Sequence, residues 1–185
     1  MPDPTDRDVP SQGPARPRSA LGVFSLGRDL GLVALSALFF QLGQSLFRGV
    51  YPNFLKDMRI PGDQVGAIEG LRELPGLATG FLAVVAFALP QSTLAAVCMA
   101  VVALGLVLYG HVTGFVGLIA ATLVMSTGFH VFYPVQSSMI LRHSRKGEKA
   151  TALGMINAVT ALATVMTMFS VAGLSRIASY RSIYY

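Results

Sequence analysis

Apolar residues along this chain run in long blocks separated by short polar islands, a spacing that no soluble helix or strand pattern produces. From Leu74 to Leu141 there is no Asp, Glu, Lys or Arg. A single helix of that length would be roughly 100 Å long against a hydrocarbon core of about 30 Å, so the segment must fold back more than once. Five spans follow from the punctuation. The first runs from Leu30 to about Val50 and is closed by Pro52 with Asn53, Lys56, Asp57 and Arg59. The second opens at Asp63, a plausible N-cap, and continues to Leu89, where Pro90-Gln91 breaks it. The third covers Ser92 to Tyr109, and the fourth covers Phe115 to Leu141 with Pro134 as a tolerated kink. Ser144 can cap the fifth, Ala150 to about Leu174.

Composition agrees with this pattern: 53% of residues are hydrophobic, 12% are charged, and mean hydropathy is +0.60. Soluble chains carry about a quarter charged residues. The net charge of +5 does not point to nucleic acid, because the basic residues flank apolar spans and form no single patch with interleaved aromatics. They act as topology signals. A cytoplasmic N-terminus puts eight on the inner side, Arg7, Arg16, Arg18, Arg28, Arg142, Arg145, Lys146 and Lys149. The outer side then holds four, Lys56, Arg59, Arg176 and Arg181, as the positive-inside rule favours. Residues 1 to 28, with five prolines and no apolar period, are expected to be a disordered cytoplasmic tail. The first span lacks a cleavage pattern and is expected to stay in the mature protein of the plasma membrane, the inner membrane if the source is bacterial.

Phe47-Arg48-Gly49-Val50-Tyr51-Pro52 reads like Phe129-His130-Val131-Phe132-Tyr133-Pro134 at an offset of 82 residues. Gly62-Asp63 aligns with Gly147-Glu148, and Leu77-Ala78-Thr79 with Leu162-Ala163-Thr164, both at an offset of 85. Residues 29–110 and 111–185 therefore read as two three-helix repeats, and an odd number of spans per copy turns one upside down relative to the other. A sixth helix is expected at about 177–194, so the given sequence reads as truncated in its sixth span.

Polar residues inside lipid are costly, and their spacing is informative. Gln41, Gln44, Ser45 and Arg48 share one face of the first helix. Ser126, Thr127, His130, Tyr133 and Ser137 form a stripe on the fourth, and Asn157, Thr160, Thr164, Thr167 and Ser170 form one on the fifth. Glu69, Arg72 and Glu73 lie on the second. The third helix is almost purely Leu, Val and Ala and reads as the lipid-facing member. Each stripe also has a structural reading. Ser and Thr hydroxyls bond backbone carbonyls, Arg48 can snorkel to the interface, and Arg48, Glu69, Arg72 and Glu73 sum to neutrality.

The run Tyr51-Pro52-Asn53-Phe54-Leu55 followed by Gln64-Val65-Gly66, and Arg145-Lys146-Gly147-Glu148-Lys149-Ala150 through Leu153-Gly154, resembles the N-terminal half of a major facilitator superfamily transporter over residues 28–185. The resemblance implies an all-α integral membrane bundle with inverted three-helix repeats, five complete spans and a partial sixth. It also implies a cavity lined by the first, second, fourth and fifth helices. The family's Gly-x-x-x-Asp-Arg-x-Gly-Arg-Arg connection after the second helix is replaced by Ala88-Leu89-Pro90-Gln91-Ser92, and the fifth helix lacks the Gly-Pro element of proton antiporters.

The expected function is secondary transport of a small solute by alternating access, with protons as the candidate coupling ion. Arg48 would anchor an anionic or polar group, Gln41, Gln44 and Asn157 would donate or accept hydrogen bonds, and Glu69, Glu73 or His130 would carry protons, with Arg72 as a partner of Glu69. Expected partners are membrane lipid, the solute, and a missing C-terminal bundle or partner subunit. The alternative is a complete five-span scaffold or accessory subunit that binds another membrane protein. An enzyme is not expected: there is no metal-ligand spacing, no Gly-x-Ser-x-Gly, and Cys98 has no nearby base. No cofactor, metal or nucleic acid is implied.

Overall fold

The computed structural model describes residues 27–86, 89–180 and 182–184, the side chains at 82–86 excepted. The expected disordered tail lies outside them up to residue 26. Every regular element among the described residues is helical: α1 (Arg28–Asp57), α2 (Gly62–Arg72), α3 (Leu74–Ala86), α4 (Gln91–His111), α5 (Phe115–His143), α6 (Lys149–Leu174) and a closing 3-10 turn, Ser182–Tyr184. Four of them, α1, α4, α5 and α6, are long and apolar enough to cross a membrane. Large apolar side chains stay exposed along the bundle, among them Phe39, Leu77, Phe81, Leu104, Val116, Leu162 and Phe169, as a lipid-facing surface requires.

Three boundaries differ from the sequence reading. Pro52 does not close the first helix. It lies inside α1, which continues to Asp57 and ends where Arg59 takes the left-handed conformation at φ 55°. The Arg59 N–H reaches the Lys56 carbonyl at 2.9 Å and the Ile60 N–H reaches Leu55 at 3.1 Å, the paired bonds of a Schellman cap. Ser144 does not cap α6. It closes α5 by bonding back to the Ile140 carbonyl at 2.5 Å, and Glu148 stands at the α6 N-cap. Asp63 falls inside the first turn of α2, with Pro61 at the N-cap.

The expected second span is divided in two. Pro75 has no N–H to continue the ladder, so α2 ends at Arg72 and α3 begins at Leu74, with Glu73 between them. At the break the Arg72 carbonyl accepts a hydrogen bond from the buried Ser126 hydroxyl of α5. Beyond Leu174, where a sixth helix is expected to start, the described residues form turns and then the single 3-10 turn.

Helix α5 touches every other long helix. Its tightest neighbour is α4, which runs antiparallel and presents Ala95, Cys98, Val102, Gly105 and Tyr109 as one buried stripe. The expected lipid-facing helix therefore has two faces, this packed seam and an exposed side with Val97, Leu104 and Val107. At Gly105 an added Cβ would stand 2.5 Å from Met125 Cβ, and at Gly128 it would stand 2.8 Å from the Cys98 carbonyl oxygen. Without a hydrophobic drive between helices in lipid, such close backbone approach supplies the packing. Helices α1 and α6 lie parallel, joined at one end by Val33, Ala37, Ala152 and Ile156 and at the other by Gly49 against Met168 and Val171.

The seam makes a contrast that can be measured. Gly to Ala in a helix interior ordinarily gains about 1 kcal/mol, and overpacking costs about 1–3 kcal/mol. Gly105→Ala and Gly128→Ala should lower the thermal midpoint of the detergent-solubilised protein followed by circular dichroism. Gly154→Ala in α6, where nothing stands within 4 Å, should raise it. Equal shifts at the three positions would contradict the seam.

Candidate functional site

Halfway along the bundle, polar side chains meet in two groups. The first forms where the α2–α3 break crosses α5. Arg72 reaches Glu69 with Nη2 to Oε2 at 2.8 Å, one turn back on α2, and reaches Glu73 with Nε to Oε1 at 3.4 Å. His130 of α5 turns Nε2 toward Glu73 Oε2 at 3.4 Å. Its other nitrogen, Nδ1, lies 3.0 Å from Ser126 Oγ and 3.1 Å from the Ser126 carbonyl. Gly76, in the first turn of α3, makes room for the ring: a Cβ there would stand 2.7 Å from His130 Cδ2 and Nε2. The group is open on one side, with Glu73 59% and Arg72 28% exposed.

The second group joins α1 to α6. The Gln41 amide donates to Ser45 Oγ at 3.1 Å and to Thr164 Oγ1 at 2.9 Å, and Ser45 donates to Thr164 Oγ1 at 3.1 Å. Thr164 passes its own proton to the Thr160 carbonyl at 3.0 Å. Its hydroxyl thus uses two acceptor sites and one donor, its full capacity. The other hydroxyls of the α6 stripe bond backward along their helix: Thr160 to Asn157, Thr167 to Ala163 and Ser170 to Met166.

Both groups occupy one level. Phe40, adjacent to Gln41, stacks on Phe132, two residues beyond His130, with ring centroids 3.9 Å apart. His130 is about 22 Å along an α5 roughly 43 Å long, at its middle.

The eight sequence candidates are thus distributed unevenly. Glu69, Arg72, Glu73 and His130 come together, and Gln41 belongs to the α1–α6 group. Gln44 is buried at 3% exposure on the α1 stripe between Phe40 and Phe47, with its Nε2 unpartnered. Arg48 and Asn157 are exposed. Arg48 forms no ion pair with the described residues; Arg72 pairs with both Glu69 and Glu73, and His130 lies against Glu73.

The sequence reading did not single out Pro75, which creates the break, or the aromatic cluster at one end of the bundle. Tyr109 of α4 shares a 2.5 Å hydrogen bond with buried Thr122 of α5, and Phe47, Tyr51, Phe54 and Tyr184 pack around its ring. Burial raises the Tyr184 phenol above the usual tyrosine range. Pro75 was visible as a helix breaker inside an apolar run. The cluster joins residues from distant parts of the chain and carries no local signal.

Among the described residues no group of three His, Cys, Asp or Glu side chains is arranged to hold a metal ion. No family model and no curated protein matches the chain.

Exposure separates a fastening from a working group. Ion pairs this open contribute about 0–1 kcal/mol, whereas a buried carbonyl stripped of its donor costs about 1–3 kcal/mol. Arg72→Ala should therefore leave the thermal midpoint nearly unchanged, and Ser126→Ala should lower it by several degrees in the same detergent. A larger loss from Arg72→Ala than from Ser126→Ala would make the charged group a structural staple.

Proposed function

We propose that the chain is the N-terminal bundle of a secondary transporter of the major facilitator type, working by alternating access against a second bundle. The observation that carries this reading is the charged and polar set at mid-depth of apolar helices, where a purely structural bundle gains little from exposed ions and lipid makes them costly. On this reading α2 and α3 together form one interrupted span, the second of five. Breaks of this kind supply backbone and side-chain groups to midplane sites. Pro52 lies inside α1 and Pro134 inside α5, and the similar Phe-to-Pro runs that end in them support the inverted-repeat reading.

The exposed candidates divide the work. Arg48, without an ion-pair partner among the described residues, offers its guanidinium to an anionic or polar solute group, and Asn157 offers an amide on the α6 stripe toward the other end of the α1–α6 contact. Gln41, fully engaged with Ser45 and Thr164, fixes the α1–α6 contact that carries both. Gln44, buried, acts through helix packing. The solute class is a small polar or anionic molecule, and the N-terminus is cytoplasmic by the positive-inside count.

The test is uptake of radiolabelled organic anions, amino acids and sugars into proteoliposomes containing the whole native polypeptide. At least one class should accumulate, and Arg48→Ala and Asn157→Ala should each cut its initial rate about tenfold or more at equal protein density. No transport of any class, or full activity of both variants, would overturn the proposal.

A further inference from the structure

The hydrogen bonds around His130 decide which of its nitrogens carries a proton. Ser126 has one hydroxyl hydrogen, and it is donated to the Arg72 carbonyl, which can only accept. Toward His130 the Ser126 oxygen is therefore an acceptor. The Ser126 carbonyl, the other neighbour of Nδ1 at 3.1 Å, is an acceptor too. Both require a hydrogen on Nδ1. A neutral ring then has its lone pair on Nε2, pointed at the Glu73 carboxylate 3.4 Å away, two electron-rich atoms face to face. A second proton resolves that contact.

We propose that His130 and Glu73 hold one exchangeable proton between Nε2 and the carboxylate, and that this proton clamps the α2–α3 break onto α5. That proton sits on Nε2, from which the ring donates a charge-assisted hydrogen bond to the Glu73 carboxylate. It exchanges with solvent past Glu73, whose side chain is 59% exposed.

The surroundings are otherwise simple. Glu69 and Arg72 face the pair from α2, and α3 contributes Gly76, which has no side chain. On the face that α4 turns to α5 the titratable groups are Cys98, against Gly128, and Tyr109, bonded to Thr122. From α1 come Phe40, stacked on Phe132, and Tyr51 in the aromatic cluster. From α6 the packing against Ile140 is apolar, through Ala152 and Ile156.

With the proton, Glu69, Arg72, Glu73 and His130 sum to neutrality. Without it they carry one net negative charge, and Glu73 keeps only Arg72. As the coupling step of a transporter this inference rests on the function proposed above; as a bound proton it does not.

Nitrogen-15 NMR of the ring nitrogens in the purified full chain, labelled at histidine and reconstituted in nanodiscs, tests it. His130→Asn assigns the signal against His111 and His143. The expected result at pH 7 is a doubly protonated His130 ring in the parent, and in Glu73→Gln a singly protonated ring that keeps its hydrogen on Nδ1. Amide exchange of the segment 70–77, corrected for its intrinsic pH dependence, should rise several-fold in the parent as that proton is lost and stay flat in Glu73→Gln. A neutral parent ring protonated on Nε2, a ring state unaltered by Glu73→Gln, or exchange that ignores the proton would overturn the proposal. If no solute moves but these signatures hold, the transport reading fails and the proton site stands.

Discussion

Two glycines set the distance between α4 and α5, and the position of the charged group on α5 depends on it. Gly105 lies against the Met125 backbone and Gly128 against Cys98 and Val102, so the two helices meet at backbone contact over several turns. Lipid offers no hydrophobic drive to push helices together, and only such close approach gathers enough dispersion contact to hold them. With one face of α5 fixed in this way, its adjoining face, carrying Ser126 and His130, is held toward the α2–α3 break.

That break is the second dependency. Pro75 withholds a donor from the Leu71 carbonyl, the helix yields at Glu73, and Ser126 supplies the adjacent Arg72 carbonyl with a hydrogen. One hydroxyl thus repairs the backbone and, by giving its only hydrogen away, determines the hydrogen on the neighbouring histidine. The Arg72, Glu69 and Glu73 side chains project from the same irregularity. A continuous helix through 62–86 would have left the Ser126 hydroxyl free to donate to His130, and the logic of the proton at Nε2 would vanish.

The α1–α6 contact is built differently. Its ends are apolar and small, and its middle is a hydroxyl–amide group in which every donor has a taker. The stacked Phe40 and Phe132 rings join α1 to α5 at the same level, so the bundle has two polar sites at one depth. The α6 hydroxyls mostly turn back to their own helix, the ordinary behaviour of Ser and Thr in apolar surroundings, and only Thr164 reaches across.

Much of the helical architecture was legible along the chain, because hydrocarbon admits helices of a certain length and the uncharged run from Leu74 to Leu141 leaves few ways to fold. The polar residues that matter were legible too, since any polar residue in an apolar span stands out. Local signals failed at Pro52 and Ser144, where helix continuation and back-bonding overrode the usual reading of Pro as a stop and Ser as an N-cap. What no periodicity could show is pairing: Glu73 meets His130, Gln41 meets Thr164, Gln44 turns inward and Arg48 outward. These pairings join residues tens of positions apart, and they depend on the rotation of each helix about its axis. The chain's own order determines that there are apolar helices and which residues in them are costly; only the packed bundle, through two glycines and one proline, decides which of those residues face each other.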